Sequence, residues 1–183
     1  MIRNYSERIS QSPQVPEAKK CPEIKQFPYG IVSPAMIPEV ADNILDEYFS
    51  ITGQLGIKAC LALGLCLGFV RDGAYPNGDN DLDVIAIVNQ QERIALTDAM
   101  IGKGYMQGHY FPEKENAHFV KSRILVDIYF RTAVGFYAEL GNVNYKGKPY
   151  PVPLQFDKYL TACYSNWRIP EDQGAGDILA KGL

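Results

Sequence analysis

The chain has 183 residues, enough for one domain with its own core plus some decoration. Apolar residues make up 46% and charged residues 21%, which excludes wholesale disorder, and the net charge of −3 excludes a basic, whole-chain footprint for duplex nucleic acid. The start of the chain has no apolar signal core, and the most apolar run, Ala59 to Val70, falls short of the roughly 20 residues of a membrane span.

Residues 1–34 read as an extended arm. Pro13, Pro16, Pro22, Pro28 and Pro34 punctuate it, and proline at that density blocks long helices and central strands. From Met36 the pattern turns helical. Ile37, Val40, Ile44 and Tyr48 recur at three- and four-residue steps, Leu45 and Phe49 widen the stripe, and Gly53 and Gly56 end it. Lys58 to Leu63 fits a short buried strand closed by Gly64, and Leu65 to Val70 fits one or two helical turns leading to Arg71. A loop dense in turn residues, Asp72 to Asn80, precedes a strand over Asp81 to Val88.

Gln91 to Ile101 is the next helix, stopped by Gly102 and Gly104. Tyr105 to Phe111, His118 to Lys121 and Ile124 to Phe130 read as strands, and Tyr145 to Pro149 as a hairpin turn. Asp157 is the expected N-cap of a last helix through Tyr164. Residues 35–170 therefore make one α+β (mixed α/β) domain, and residues 171–183, with Gly174-Ala175-Gly176, a flexible tail. The four cysteines show no C-x-x-C pair, so no zinc knuckle or redox motif is expected; Cys60 and Cys66 read as core residues. A soluble protein in a reducing, cytoplasmic setting is the expectation.

The chemistry centres on Asp81 and Asp83. Side chains at i and i+2 of a strand share a face, so these carboxylates repel unless something positive lies between them. Magnesium, which prefers hard oxygen ligands and leaves positions for phosphate oxygens, is the natural partner; manganese would serve as well. Asp127 is a third acid, embedded in the apolar run Ile124 to Phe130, where burial costs free energy unless the acid is paired or bound to a metal. If its strand lies beside that of Asp81, three acids converge. A structural ion pair of Asp127 with Arg123 or Arg131 is the alternative.

The run Gly64-Leu65-Cys66-Leu67-Gly68-Phe69-Val70-Arg71, followed by Asp79-Asn80-Asp81-Leu82-Asp83, resembles the signature of the LicD and fukutin-type branch of the nucleotidyltransferase superfamily. Asp127-Ile128-Tyr129 looks like its third acid. Tyr150-Pro151-Val152-Pro153, Tyr159-Leu160 and Tyr164-Ser165-Asn166-Trp167 resemble its C-terminal motif. The likeness spans about Met36 to Pro170. It implies a polymerase-β-like mixed sheet flanked by helices. In it Asp81, Asp83 and Asp127 would bind magnesium, with Asp127 the most plausible proton acceptor. The Gly64 to Gly68 turn would approach a phosphate, with Asp79 nearby, and Arg71 would contact phosphate or stabilise the loop.

The implied activity is transfer of a nucleotidyl or phospho-substituted group from a nucleotide-activated donor to a hydroxyl of a glycan or small molecule. Nucleotide transfer to a small molecule or protein is the enzymatic alternative, and a non-catalytic binding module the other. Leu65 and Asn80 depart from the family pattern, which has a hydroxyl and another Asp there.

Lys121 and Arg123 alternate before the Asp127 strand and are candidates for a phosphate or anionic acceptor, against a plain solvated edge. His109 and His118 lack the further ligand that a zinc site needs. Tyr145, Tyr150, Tyr159, Tyr164 and Trp167 could form a sugar platform or pack on the last helix.

Overall fold

Helix α1 (Pro38–Gln54) begins where the sequence supplies a proline in the first turn, whose missing N–H has no helical partner to lose, and Glu39 facing the positive helix end. A computed structural model describes residues 36–111 and 115–170, together with Val32. The expected arm therefore falls almost wholly outside the described residues, as do Cys21 and the expected tail. Helix α1 buries Ala41, Ile44, Leu45, Tyr48, Ile51 and Thr52. Ile37 is 53% exposed because it precedes the first turn as N-cap rather than joining the stripe.

Strand β1 (Lys58–Leu61) runs almost directly into helix α2 (Leu63–Arg71), so Gly64 stands in the first helical turn rather than closing the strand. Strand β2 (Asp81–Ile87) and helix α3 (Gln90–Gly102) follow, the helix opened by a reciprocal capping box between Asn89 and Glu92. Three strands then run in succession, β3 (Met106–Phe111), β4 (Asn116–Lys121) and β5 (Ile124–Arg131).

The sheet order is β1-β2-β5-β4-β3. Only the β2–β5 pair is parallel; the others are antiparallel. Leu82, Val84, Val126 and Ile128 are fully buried, as strands covered by helices require.

A hairpin of β6 (Leu140–Tyr145) and β7 (Lys148–Pro153) packs beside this sheet, and helix α4 (Phe156–Tyr164) closes the described fold. The N-cap of α4 is Gln155, not the expected Asp157. Asp157 sits inside the first turn and pairs with Arg168.

The hairpin is tied to α1 by charge. Lys146 contacts Asp42 at 2.8 Å, Lys148 contacts Asp46, and the Tyr150 hydroxyl donates to Asp46 at 2.8 Å. Beneath these contacts Tyr145 stacks on Phe69 of α2 at 4.0 Å between ring centres, with Tyr75 and Tyr150 edge-on to Phe69. These tyrosines fill the joint between α2 and the hairpin, which decides their role as packing rather than as an exposed sugar platform. Cys60, Cys66 and Cys163 are buried free thiols. Among the described residues no helix is long and apolar enough to cross a membrane.

Candidate active site

The parallel pairing of β2 and β5 sets Asp83 directly beside Asp127, so their side chains project from the same face of the sheet. Asp81 lies two residues upstream of Asp83 on that face. His118 of β4 is the register partner of Asp127 on its other side. The opposite face carries Leu82 and Val84 into the core.

The turn into α2 grips Asp83. Ala62 N–H donates to the Asp83 main-chain oxygen at 3.0 Å, and Gly64 N–H donates to Asp83 Oδ2 at 3.2 Å. Between them Leu63 sits at φ 36°, a left-handed conformation that costs a leucine of order 1–3 kcal/mol. Its N–H is held by the Tyr159 hydroxyl of α4 at 3.0 Å. A Cβ on Gly64 would lie 2.9 Å from Asp79 Oδ2 and 3.5 Å from Asp83 Oδ2. Glycine is therefore what lets the helix start meet the acids. Asp79 arrives on the loop and is fixed by Met36 N–H, which donates to its main-chain oxygen at 3.1 Å. Val32 packs on Val120 and Leu125, the latter the register partner of Asp81.

Asp83 is 8% exposed and Asp127 is 7% exposed. Burial pushes the Asp81 carboxyl up to about 8, with the neighbouring Asp79 and Asp127 adding to it. Burial and then Asp81, Asp127 and Asp79 raise Asp83 well above the usual carboxylate range, against the opposing pull of Gly64 N–H. The Tyr129 hydroxyl is pushed up by burial and by the same carboxylates, so it stays protonated and donates. It donates to Asp127 Oδ2 at 2.9 Å and lies 3.4 Å from Asp83 Oδ1. Asn116 Nδ2 donates to Asp127 Oδ1 at 3.0 Å, and His118 Nε2 lies 3.4 Å from the same oxygen.

Other expected site residues are placed differently. Asp127 pairs with neither arginine: Arg123 is exposed in the β4–β5 turn, and Arg131 lies at the far end of β5. Lys121 and Arg123 do not share a face, because the chain turns at Ser122 and Arg123, both at positive φ, 51° and 66°. Lys121 stands three positions from His118 and so points away from the acids. It pairs with Glu47 at 2.6 Å and lies over the Tyr105 ring. Lys121 is thus engaged on the face away from the acids, whereas exposed Arg123 lies two residues before Leu125, the register partner of Asp81.

Gly68 is covered as well: a Cβ there would lie 2.5 Å from the Ala74 main-chain oxygen and 2.9 Å from Pro76 Cδ. A glycine there lets the loop lie against α2. Arg71 forks onto Asp72 and donates to the Trp167 main-chain oxygen at 3.2 Å. Seven residues along α2 put it about 10 Å from Gly64, so of its two expected roles the geometry favours the loop-stabilising one. Asn80 is exposed and outside the cluster, so its departure from the family pattern leaves the four acids untouched.

Asn116, His118 and Tyr159 carry no local sequence signal for these contacts. The parts of Asn116 and His118 become visible only once β4 and β5 are in register, whereas Tyr129, two residues beyond Asp127, shares its face by strand alternation. A separate cleft of about 400 Å³ opens at the other end of β2 and β5, lined by Gln90, Arg93, Glu115, Arg131 and Thr132 among others, and includes none of the acids.

No protein-family model and no curated protein matches this sequence. Solved structures do match its fold. The antibiotic-resistance factor ANT(2'')-Ia superposes with a TM-score of 0.56 at 10% identity, over 79% of this chain and 81% of that one. The lincosamide antibiotic adenylyltransferase LnuA, solved with lincomycin bound, superposes with a TM-score of 0.52 at 15% identity, over 76% of this chain and 92% of that one. The chain has a nucleotidyltransferase fold.

In this nucleotidyltransferase fold the donor set at the head of β2 suits a hard divalent cation. It offers carboxylate oxygens from several elements, and among the described residues no Lys or Arg pairs with Asp79, Asp81, Asp83 or Asp127. The Asn116 side-chain oxygen is buried beside them without a hydrogen-bond donor among the described residues. Among the described residues no group of three or more His, Cys, Asp or Glu side chains has metal-holding geometry. In donor chemistry, carboxylate and amide oxygens, the residues fit magnesium or manganese.

Proposed function

We propose that this protein is a divalent-metal-dependent transferase that moves a nucleotidyl or phospho-substituted group from a nucleotide-activated donor to an acceptor hydroxyl. The observation that carries this reading is the convergence of Asp81, Asp83 and Asp127, with Asp79 beside them, on one sheet face with no Lys or Arg partner among the described residues. Mutual repulsion of buried acids is costly and is retained where a cation relieves it.

Asp81, Asp83 and Asp127 would hold magnesium or manganese, which supplies charge neutralisation on the phosphate undergoing displacement. Gly64 N–H and the Leu63 turn orient Asp83. Asp127, whose oxygens accept from Asn116 and Tyr129, would accept the proton of the attacking hydroxyl.

The finer assignment, LicD-like transfer of a phospho-substituted group to a glycan or small molecule, rests on the uninterrupted spacing from Gly64 through Arg71 to Asp79, Asp81 and Asp83. A second reading, transfer of the nucleotide itself to a small molecule, is favoured by the fold shared with the adenylyltransferase LnuA. The test is a panel of nucleoside triphosphates and nucleotide-linked donors with magnesium and hydroxyl acceptors. Pyrophosphate release with nucleotide on the acceptor supports the second reading. Nucleoside monophosphate release with the phospho-substituted group on the acceptor supports the first. Absence of both nucleotide binding and turnover would overturn the enzymatic proposal and leave a binding module of this fold.

A further inference from the structure

Tyr129 stands out among the polar groups of the acid cluster because it touches two carboxylates from different strands. Its hydroxyl is 2.9 Å from Asp127 Oδ2 and 3.4 Å from Asp83 Oδ1. It has one proton, and the shorter distance gives that proton to Asp127. The hydroxyl lone pairs are left on the Asp83 side. Tyr129 lies two residues beyond Asp127 on the same strand face and is 7% exposed, so its ring is fixed by packing. Asn116, directly opposite Tyr129 in the β4–β5 register, donates to the other Asp127 oxygen at 3.0 Å. It does so although its own side-chain oxygen is left buried without a donor among the described residues. A buried acceptor without a partner costs free energy, so the geometry commits Asn116 to Asp127 at the expense of its own satisfaction.

We infer that Tyr129 and Asn116 are positioning residues for the cation: they fix the orientation of the Asp127 carboxylate and its separation from Asp83, so that the acids of β2 and β5 meet one ion. This rests on the metal-dependent reading above. The physical reason is that a carboxylate held from both oxygens cannot rotate away from its neighbour, so less order has to be imposed when the ion arrives. Mutating partners that orient metal ligands typically costs about 10–100-fold in metal affinity. His118, at 3.4 Å from Asp127 Oδ1, is a weaker third contact on the same carboxylate.

The experiment is a titration of the full chain with MnCl2 alone, with free Mn2+ followed by its paramagnetic resonance signal and the melting temperature measured in parallel. The expected result is a Mn2+ site in the wild type, loss of the site in Asp83→Asn, and binding weakened by about tenfold or more in Tyr129→Phe and in Asn116→Ala. Tyr137→Phe removes a buried hydroxyl from the 3₁₀ turn Gly135–Tyr137, away from the acids, and its Mn2+ affinity is expected to match the wild type. A purely structural role would lower the melting temperature of Tyr129→Phe and leave its Mn2+ affinity intact. Wild-type affinity in both Tyr129→Phe and Asn116→Ala overturns the inference while the metal-dependent reading stands. A wild type that binds no Mn2+ overturns both. If one variant fails to fold, the other decides.

Discussion

The acids at the head of β2 make the cation-free protein weakest where they are charged. Burial, with Asp79 and Asp127 nearby, holds Asp81 up at about 8 against an ordinary value of 3.8. A raised carboxyl value means that folding favours the protonated form. The stability Asp81 supports is therefore complete below the ordinary value and is lost as pH rises toward 8. Each pH unit in that window removes about 1.4 kcal/mol, so between pH 4 and pH 7 this one group withdraws about 4 kcal/mol.

Asp81→Asn keeps the shape and removes the charge. With chelator present it is expected to exceed the wild type at pH 7.5 by about 2–4 kcal/mol, the shortfall reflecting an amide N–H that Asp79 only partly satisfies. At pH 4 the two should be nearly equal. For a domain of this size the difference at pH 7.5 is a rise in melting temperature of about 6–12 °C. Urea and thermal denaturation across pH 4 to 8 measure it. Magnesium at a hundredfold excess over its dissociation constant should return about 2.7 kcal/mol to the wild type and little to the variant. A wild type whose stability is flat over this range, paired with an Asn variant that is weaker at pH 7.5, would refute the reasoning.

Gly64→Ala should leave helix α2 intact yet displace Asp79 and Asp83, because the new Cβ would meet Asp79 Oδ2 at 2.9 Å; cation-induced thermal stabilisation should fall sharply with little change in the cation-free melting temperature. Gly68→Ala has the opposite signature: its Cβ would strike main-chain oxygen at 2.5 Å, so a loss of about 1–3 kcal/mol in urea denaturation is expected. Tyr159→Phe strands the buried Leu63 N–H and should cost about 1–3 kcal/mol by the same measurement, with weakened cation binding because the turn that grips Asp83 loosens. Lys121→Ala, on the face away from the acids, should change stability by less than about 1 kcal/mol and leave Mn2+ affinity unaltered in a titration.

The sequence by itself determined the elements and the acids. The apolar periods of α1 and β5, the glycines and prolines between them, and the spacing of Asp81 and Asp83 follow from side-chain periodicity and backbone sterics, which are local properties. One boundary shifted: β1 ends at Leu61 and α2 starts at Leu63, whose N–H donates to the Tyr159 hydroxyl of a distant helix.

Only the tertiary structure decided which charges meet. Asp127 could have paired with Arg123 or Arg131 on local grounds, and the parallel register of β2 and β5 gave it Asp83 instead. Lys121 looked available for phosphate until the β4–β5 turn set it on the opposite face beside Glu47. The contacts of Asn116 and His118 with Asp127, and of Tyr129 with Asp83, depend on register across strands, which alternation within one strand leaves open. Strand order and register are settled by burial of the whole sheet against its helices, and so the set of groups around the acids is a property of the fold rather than of any stretch of sequence.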